Sequence, residues 1–496
     1  MNISLLLQMA DDTGPDRIGL VCEGRSWSYG ALMNAARGTA AFLSECGCDY
    51  IALLDESSEA APIALFGAAL AGIPYVPLNY RLADDDLAAL LRRISPACIV
   101  GDTRRVQRLN PEGTPTCLSR TDFVQVAETI VHTATGEEEG EGIAAQIFTS
   151  GTTAAPKAAL LRHSNLLGYI LGTVEFCCAA EQDAQLVCVP PYHIAGISAL
   201  LSSIYAMRRV VILPAFSAEA WLQLATQESV TNAFLVPTML SRIVDKLDDK
   251  TSAGLSSLKA IAYGGGHMPL ELIKRALDLF PDTEFTNAYG LTETSSTIAL
   301  LGPEEHRLAQ TSEDCAVRDR LASVGRPLPT VELEIRDAAG RPLAAGERGE
   351  IHVRGDQVSG EYRERSAVDA EGWFPTRDWG WLDEEGYLFL AGRADDVIVR
   401  GGENISPAEI EDVLTSHPAI ADAAAVGVPS REWGEAVAIS VVFRPGRQLG
   451  EEELRTLIRE RLRSSRVPEK IRIVDELPYN EMGKLLRREI RGMFQT

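Results

Sequence analysis

Short apolar runs alternate with amphipathic stretches through most of this chain, and this alternation restricts the fold more than any other feature. Residues 29–47 (YGALMNAARGTAAFLSECG) have helical periodicity and end at a glycine, and residues 49–55 (DYIALLD) follow as a short buried strand. Residues 61–79 repeat the order of helix, glycine and strand. Further apolar strands are predicted in five segments: 95–102, 185–191, 208–214, 231–237 and 258–266. Strands that alternate with helices predict an α/β fold of parallel sheets covered on both faces, with ligands beyond the carboxyl ends of the strands.

The pattern changes after about Val324. The segments VELEIRDAAGRPL, GERGEIHVRG and GYLFLAGRADDVIVRGG indicate hairpins and meanders rather than strand–helix units. From Asn404 onward, two amphipathic helices and three strands predict a compact α+β unit of roughly 100 residues. A chain of 496 residues is also too long for one ordinary core, so several domains are expected.

The charge and cysteine content exclude some classes of protein. Lys and Arg number 47 against 70 Asp and Glu, a net charge of −23, which argues against a nucleic-acid partner. The N-terminus lacks the basic region of a signal peptide, and no apolar run reaches the about 20 residues needed for a membrane span. The nine cysteines show no metal-ligand spacing, which suggests reduced thiols and a cytoplasmic location.

The segment IFTSGTTAAPK, residues 147–157, is the first candidate for chemistry. It leaves a predicted strand, and it combines a flexible glycine, a cation and four hydroxyl groups: Thr149, Ser150, Gly151, Thr152, Thr153 and Lys157. Such a loop suits phosphate oxygens, although it lacks the spacing of a Walker A loop. By itself the segment also fits an ordinary polar surface loop.

Four more motifs follow in order: NAYGLTET at 287–294, TRDWGWLDEEGYLFLAGRADD at 376–396, RGGENISPAEIE at 400–411 and NEMGKLLRRE at 480–489. With SYGAL and YVPLN near the start, they resemble the adenylate-forming superfamily of acyl- and aryl-CoA synthetases, peptide-synthetase adenylation domains and luciferases. The resemblance covers nearly the whole chain. It implies that a carboxylic acid and ATP form acyl-AMP and pyrophosphate, and that CoA then takes the acyl group as a thioester.

The resemblance also implies an architecture. It predicts a large N-terminal domain of parallel βα sheets with a small β-barrel-like subdomain (residues 1–394), and a small mobile α+β C-terminal domain (residues 395–496). Asp395 matches the hinge about which the C-terminal domain rotates between the two steps. A carrier-protein phosphopantetheine is an alternative thiol to CoA, and a monomer and a homodimer are both compatible with the sequence.

The matching positions define an expected nucleotide site. Thr292 would bond the α-phosphate, Glu293 would hold Mg²⁺, and Asp378 with Arg393 would contact the ribose hydroxyls. The loop at 149–157 is expected to contact the phosphates of ATP. The residues expected around the adenine are Gly264, Gly265, Gly266, Asn287, Ala288 and Tyr289. Without the motifs, Asp378 would be read as a turn residue and the three glycines as a loose turn.

Lys484 matches the lysine that reaches into the cleft during adenylation. A compact ammonium group can bridge the developing negative charges of the acid and the phosphate. For the thiol step, the expected face carries Gly401, Gly402 and Glu403, with Trp433 as a possible contact for the CoA nucleotide or a half-buried aromatic.

The acid should lie between the helix after Lys157, residues 192–197 and the loop 263–268. His193 is expected as a lid, and the pocket residues are Tyr192, Gly172, Tyr263 and His267. Gly168 and Gly172 share one helix face, which would either make room for a bulky acid or allow close helix packing. An amino acid is disfavoured because the 190–196 segment has no acidic side chain for an α-amine, so a bulky hydrophobic or aromatic acid is expected.

Three positions depart from the family pattern. Ala154 and Ala158 replace glycines of the first motif, and Arg466 replaces the lysine of a Tyr-Lys-Val-Pro segment. These changes leave two alternatives to a CoA ligase open. One is an enzyme that adenylates an acid and passes it to a carrier protein or partner, and the other is an inactive ligand-binding homologue.

Overall fold

A computed structural model describes residues 1–109, 116–130, 142–149, 156–247, 250–480 and 485–494. Within these ranges the helices are, in chain order, α1 (Ser4–Thr13), α2 (Tyr29–Cys46), α3 (Ala60–Ala71), α4 (Asp84–Arg93), α5 (Thr103–Leu109), α6 (Arg120–Thr129), α7 (His163–Thr173), α8 (Ile194–Tyr205), α9 (Ala218–Gln227), α10 (Pro237–Lys246), α11 (Leu270–Leu279), α12 (Pro303–Thr311), α13 (Cys315–Asp319), α14 (Pro407–Thr415), α15 (Glu451–Arg461) and α16 (Arg487–Met493).

The strands of the same ranges are β1 (Ile18–Cys22), β2 (Arg25–Ser28), β3 (Tyr50–Leu54), β4 (Tyr75–Pro77), β5 (Ala97–Gly101), β6 (Thr116–Leu118), β7 (Ile143–Thr149), β8 (Lys157–Arg162), β9 (Ala184–Val187), β10 (Arg209–Ile212), β11 (Asn232–Leu235), β12 (Ala260–Gly264), β13 (Glu284–Leu291), β14 (Ser296–Leu301), β15 (Arg326–Pro327), β16 (Glu332–Arg336), β17 (Gly349–Arg354), β18 (Glu361–Tyr362), β19 (Arg365–Ser366), β20 (Phe374–Leu382), β21 (Leu388–Arg393), β22 (Ile398–Arg400), β23 (Glu403–Ile405), β24 (Ile420–Ser430), β25 (Gly434–Phe443) and β26 (Lys470–Ile473). Short 3₁₀ turns span Thr292–Thr294, Arg320–Ala322 and Ser464–Arg466.

The predicted helix–glycine–strand units are confirmed. Ser28 begins α2 because its hydroxyl accepts a hydrogen bond from the Ala31 amide, and Gly47 ends the helix in the left-handed conformation. Gly72 ends α3 in the same way. The five apolar segments predicted as strands contain β5, β9, β10, β11 and β12.

Two large sheets form the N-terminal part. One has the order β19-β18-β8-β7-β4-β3-β5-β6, and the other has the order β15-β14-β13-β12-β11-β9-β10-β1-β2. Most central pairs are parallel, but β7–β8, β13–β14 and β1–β2 are antiparallel. Both sheets are therefore mixed. The antiparallel pairs are joined by short connections, which cannot make the long crossover that parallel strands need.

A four-stranded antiparallel sheet, β16-β17-β20-β21, forms the small subdomain. Its apolar face packs against the antiparallel edge of the nine-stranded sheet, where Tyr289, Leu291 and Ile298 meet Ile351, Phe374 and Leu388. This packing places the end of β13 beside β20 and β21, so the two motifs at 287–294 and 376–396 come together.

The C-terminal part is an α+β unit with its own cores. β23, β22, β25 and β24 form the sheet in that order, and β26 pairs with β25 in parallel. α14 and α15 cover one face through residues such as Ile410 and Leu454, while Ile490 of α16 packs on the other face. The boundary at residues 394–395 stays a prediction. In the described ranges, no helix is both long and apolar enough to cross a membrane.

Candidate active site

Three side chains form a hydrogen-bonded cluster where β13 meets the subdomain. Tyr289 ends the regular part of β13, and Asp378 on β20 lies opposite Arg393 on β21. The Tyr289 hydroxyl donates to Asp378 Oδ2 at 2.6 Å, and Arg393 Nε lies 2.8 Å from Asp378 Oδ1. The structure thus brings together the residues expected at the adenine and at the ribose.

Burial sets the electrostatics of this cluster. Tyr289 is 8% exposed, and burial raises the pKa of its hydroxyl well above the ordinary value, with a further increase from the Asp378 carboxylate. The hydroxyl therefore stays a neutral donor at physiological pH. Asp378 is also 8% exposed, and its carboxylate accepts from a phenol and pairs with a guanidinium.

Glu293 lies in the 3₁₀ turn that directly follows β13. The amides of Ser359 and Gly360 donate to the Glu293 carbonyl at 2.9 and 3.0 Å, which anchors the turn to the segment before β18. The Tyr362 hydroxyl donates to Glu293 Oε1 at 2.6 Å. Burial raises the pKa of Tyr362, and the adjacent Glu293 carboxylate raises it further, so this hydroxyl also remains a donor.

The base of the first motif lies beside this turn. Thr149 and Lys157 pair across the β7–β8 hairpin, and Lys157 Nζ lies 5.6 Å from the centre of the Tyr362 ring. The lysine therefore lies beside the ring whose hydroxyl contacts Glu293, the carboxylate expected to hold Mg²⁺. The other predicted phosphate contacts, Ser150, Gly151, Thr152 and Thr153, lie outside the described residues.

Mg²⁺ fits this donor set. Among the described residues, no group of three or more His, Cys, Asp or Glu side chains could hold a metal ion. Mg²⁺ commonly takes one or two carboxylates and completes its shell with substrate phosphates and water, whereas Zn²⁺ sites need several protein ligands. Glu293, which accepts a hydrogen bond from Tyr362, is a single hard oxygen ligand of this kind and would hold Mg²⁺ here.

Gly264 and its neighbours, expected around the adenine, lie where the backbones of β12 and β13 pack closely together. A Cβ added to Gly264 would lie 2.1 Å from the Ala288 carbonyl oxygen, so only glycine fits there. Gly265 has φ +80° and is exposed together with Gly266. Asn287 is buried, and its side-chain amide donates to the Ser323 carbonyl at 3.1 Å. These residues lie next to Tyr289 along paired strands, as the motifs predict.

His193 lies at the start of α8 beside Tyr192, with 4.6 Å between the ring centres. Burial lowers the pKa of His193 to about 4, so the imidazole is neutral at physiological pH. Its Nε2 is buried and has no hydrogen-bond partner in the part of the chain that the structure describes. Because an unsatisfied buried nitrogen is costly, this atom is a candidate contact for a substrate.

Tyr263 does not line the acid pocket, which corrects the expectation from its place beside Gly264. The side chain is fully buried, and its hydroxyl donates at 2.9 Å to Nε2 of His306, whose Nδ1 donates to the Gly302 carbonyl. Alternate residues of a strand face opposite sides of the sheet, and Tyr263 faces α12.

The glycines of α7 are explained by packing. A Cβ at Gly172 would lie 2.7 Å from Thr330 Cγ2, and one at Gly168 would lie 3.2 Å from Asp356 Cβ. The structure therefore supports the close-packing alternative rather than open space at Gly172. His267 lies on the predicted loop, but its Nε2 donates to Asp412 of α14 at 2.8 Å, so it contacts the C-terminal part.

Four hydroxyl residues near the expected pocket were missed by the sequence motifs. Ser296 donates to Ser198 of α8 at 3.1 Å, and Tyr169 of α7 donates to Thr297 at 3.4 Å. Ser296 has φ +123°, and Gly290 approaches its carbonyl so closely that a Cβ would lie 1.8 Å away. Strained backbone next to a motif is a common property of functional sites, but the strain itself is visible only in the fold.

Three of the residues predicted for the thiol step are exposed on the surface of the C-terminal part. Gly401 and Gly402 are exposed with φ +58° and +85°, and Trp433 is 42% exposed. Lys484 lies outside the described residues. Arg487, three positions later, is partly buried against Glu411, next to the Asp412 that contacts His267. The helix that follows Lys484 therefore contacts α14 next to the residue that binds His267 of the 263–268 loop.

Asp395, predicted as the hinge, contacts residues on both sides of it in the chain. Arg377 Nη2 donates to its carboxylate at 3.0 Å, and Arg491 Nη2 donates to its carbonyl at 2.9 Å. Ser406 also donates from the C-terminal part to the Ala391 carbonyl at 2.5 Å. These polar contacts are typical of an interface that can rearrange.

Two family models match the chain: AMP-binding enzyme over residues 7–363, and AMP-binding enzyme C-terminal domain over residues 409–484. A fatty acid–[acyl-carrier-protein] ligase ScoC of Streptomyces coeruleorubidus is 31% identical over 97% of this chain and 94% of the relative. A 2-succinylbenzoate–CoA ligase of Bacillus licheniformis is 32% identical over 98% of each.

Solved structures agree with this assignment. The o-succinylbenzoate CoA synthetase of Bacillus subtilis in complex with its acyl-adenylate intermediate is 28% identical, with a TM-score of 0.85 over 98% of this chain and 97% of that one. The same enzyme in complex with ATP and magnesium ion has a TM-score of 0.83, over 98% of this chain and 99% of that one. The match extends through both the N-terminal and the C-terminal parts, so this chain belongs to the AMP-binding enzyme family, as its motifs indicated.

Proposed function

We propose that this protein is an AMP-forming acid–thiol ligase. It converts a carboxylic acid and ATP to acyl-AMP and pyrophosphate, and it then transfers the acyl group to CoA. The observation that carries this proposal is the meeting of two units at the end of β13. One is the Tyr289–Asp378–Arg393 cluster, and the other is the Glu293–Tyr362 pair beside Lys157. A base-and-ribose site next to a metal-and-phosphate site is what adenylation requires.

Each residue has a role that its surroundings support. Asp378 accepts ribose hydroxyl groups, and Arg393 forms an ion pair with its carboxylate at 2.8 Å. Tyr289 presents its ring to the adenine, and Gly264 lets its strand pack closely against Ala288 next to that ring. Mg²⁺, when bound, would neutralise phosphate charge, and Glu293 would hold it.

In the first step, the acid's carboxylate oxygen bonds to the α-phosphorus while the bond to the pyrophosphate oxygen breaks. Thr292 donates to the α-phosphate, and Lys484 places an ammonium group between the acid and the phosphate. Both reactants are anions, so these groups lower the barrier by offsetting charge that builds up in the transition state.

The domain arrangement supports an adenylating state. Gly401, Gly402 and Trp433 face solvent, whereas α16, which follows Lys484, contacts the α14 segment beside His267. We propose that residues 395–496 rotate about Asp395 after the first step, which withdraws Lys484 and brings the glycine face to the cleft.

The acid is proposed to be a bulky monocarboxylate whose acyl group carries no second charge. The described residues of α7, α8, β13, β14 and the loop 263–268 include no lysine or arginine. A second carboxylate buried there would lack a counter-charge, which is costly. The 2-succinylbenzoate of the named relatives is a dicarboxylate, so this chain is expected to prefer neutral aromatic or aliphatic acyl groups with some hydrogen-bonding capacity for Ser198 and Ser296.

Two candidate functions differ in the thiol that accepts the acyl group. CoA is the acceptor in the names of the 2-succinylbenzoate relatives, and an acyl-carrier protein is the acceptor in the name of the Streptomyces relative. Arg466, which replaces a lysine near the thiol face, is the observation that keeps the carrier protein as the second candidate. A cytoplasmic location is proposed with either acceptor, because all nine cysteines are free thiols.

The test measures the two steps separately. ATP–pyrophosphate exchange is followed with Mg²⁺ and pairs of acids matched in size, each pair differing in one extra carboxylate. CoA or a holo carrier protein is then added, and the thioester and AMP are quantified. Exchange with monocarboxylates and a thioester with CoA are expected, and exchange that favours the dicarboxylates would contradict the proposed acid class.

Lys484→Ala should lose exchange by orders of magnitude because the bridging ammonium is absent. Lys470→Ala, at an exposed lysine of β26, is the matched control and should behave as the wild type. No exchange by the wild type with any acid would favour an inactive homologue. Full exchange by Lys484→Ala would show that the lysine is assigned wrongly.

A further inference from the structure

Arg466 lies between two carboxylates of the C-terminal part. Its side chain is 9% exposed, its Nη1 contacts Glu403 Oε1, and its Nε lies 3.3 Å from Glu409 Oε2. Nη1 also donates to the Ser465 hydroxyl at 2.7 Å. Glu403 begins β23, and Glu409 lies in the first turn of α14. One guanidinium thus joins two elements that flank the face predicted for the thiol step.

The glycine pair of that face lies directly before Glu403. The Gly401 amide donates to the Trp433 carbonyl at 2.8 Å, and a Cβ at Gly401 would lie 3.0 Å from the Trp433 ring. A Cβ at Gly402 would meet no described atom within 4 Å. The loop is therefore held by Trp433 on one side and by the Glu403–Arg466 pair on the other, while its glycine edge is open to solvent.

A lysine could not make the same contacts. A guanidinium presents a planar set of donors that can serve two carboxylates at fixed angles, whereas an ammonium is a point charge on a flexible stem. The arginine at 466, which departs from the family motif, therefore matches the presence of both Glu403 and Glu409.

Glu409 also crosses to the N-terminal part. Arg348 Nη1 donates to Glu409 Oε1 at 2.7 Å, and the Arg348 guanidinium stacks 4.5 Å from the centre of the Trp381 ring. Arg466 and Arg348 bind different oxygens of one carboxylate. A rotation of the C-terminal part would break the contact with Arg348, but it would leave the contacts of Arg466 intact because both of its carboxylates move with it.

We propose that Arg466 is a positioning residue of the thiol step, which holds Glu403 and hence the Gly401–Gly402 loop in the shape that receives the thiol arm. The inference rests on the proposed function, because it needs a thiol transfer to act upon. Arg466 does not touch the reacting atoms. It acts through the loop, and its contribution is expected in the second half-reaction only.

The experiment compares Arg466→Gln and Arg466→Lys with the wild type in both half-reactions. Arg466→Gln should keep ATP–pyrophosphate exchange within about twofold, whereas kcat/KM for CoA should fall by roughly tenfold or more because misplaced binding groups are costly. Most of that fall should appear in KM. Arg466→Lys should recover part of it because one carboxylate can still be bound. Arg463→Gln is the matched control, because Arg463 is 84% exposed and only approaches Glu403 at 4.0 Å.

Glu403→Gln provides a second test that does not depend on the folding of Arg466→Gln. It should raise KM for CoA similarly, and the double variant should show little further loss. Equal loss in exchange and in thioester formation, or unchanged KM for CoA in both single variants, would overturn the inference. Wild-type exchange without a thioester from CoA or a holo carrier would overturn it too, while adenylation would stand. An absence of exchange would instead refute the proposed function.

Discussion

Asp378→Asn tests the nucleotide site most directly. The substitution keeps the size of the side chain, but it removes the charge that joins Tyr289 at 2.6 Å and Arg393 at 2.8 Å. It also replaces one acceptor oxygen by a donor. An amide that donates cannot accept a ribose hydroxyl at that position, and it would direct a donor at the phenol or the guanidinium.

The magnitude follows from the kind of hydrogen bond that is lost. A hydrogen bond to a charged group contributes about 1.5–3 kcal/mol, against about 0.5–1.5 kcal/mol for a neutral one. If one charged contact to the ribose is lost, kcat/KM for ATP should fall by about 10- to 150-fold. The protein itself should lose only about 1 kcal/mol, less than the range for a charged contact, because the Arg393 side chain is 38% exposed and solvent screens its charge.

The assay is ATP–pyrophosphate exchange at varied ATP, with urea unfolding of each variant to establish that it is folded. Asp383→Asn is the control, because Asp383 lies in the same β20–β21 hairpin and only caps its turn, accepting from the amides of Glu385 and Tyr387 at 2.9 and 2.8 Å. A folded Asp378→Asn variant with the wild-type kcat/KM for ATP would refute the assignment of this cluster to the ribose. An equal loss in Asp383→Asn would refute it as well, since the effect would then belong to the hairpin.

Three further predictions concern the metal, pH and packing. Tyr362→Phe removes the donor that orients Glu293, so the Mg²⁺ concentration for half-maximal exchange should rise roughly tenfold, and an unchanged value would contradict a metal at Glu293. Gly290→Ala should destabilise the fold by about 1–3 kcal/mol in urea unfolding, because its Cβ would lie 1.8 Å from the Ser296 carbonyl oxygen, and wild-type stability would contradict that packing. Burial lowers the pKa of His163, His193 and His306 from 6.5 to about 4. The unfolded state therefore binds more protons than the folded state between pH 4 and 6.5. The free energy of unfolding should be at its full value above pH 6.5 and should fall as the pH is lowered towards 4. Urea unfolding of a His163→Gln variant should show a pH dependence shallower by about one proton, and a profile parallel to the wild type would count against a buried neutral imidazole there.

Local sequence was enough to predict most of the helices and strands. The glycines at 47 and 72 end helices because a left-handed residue satisfies the last carbonyls, and this depends only on neighbours in the chain. The apolar runs became strands for a similarly local reason. The ordered motifs predicted one common site for Tyr289, Asp378 and Arg393 because such motifs reflect a whole fold, and the structure brings the three side chains into contact.

The remaining features depend on residues far apart in sequence and on which face of a strand is covered. Tyr362 reaches Glu293 across 69 positions, and no local pattern marks it as a partner. Tyr263 was misassigned because the alternation of residues along a strand shows which side chains share a face, but not which of the two faces is covered by α12. The set of Arg348, Glu409, Arg466 and Glu403 likewise requires two domains in contact. Periodicity and capping act over a few residues, whereas ion pairs and pocket walls form only when packing places distant side chains within a few ångströms.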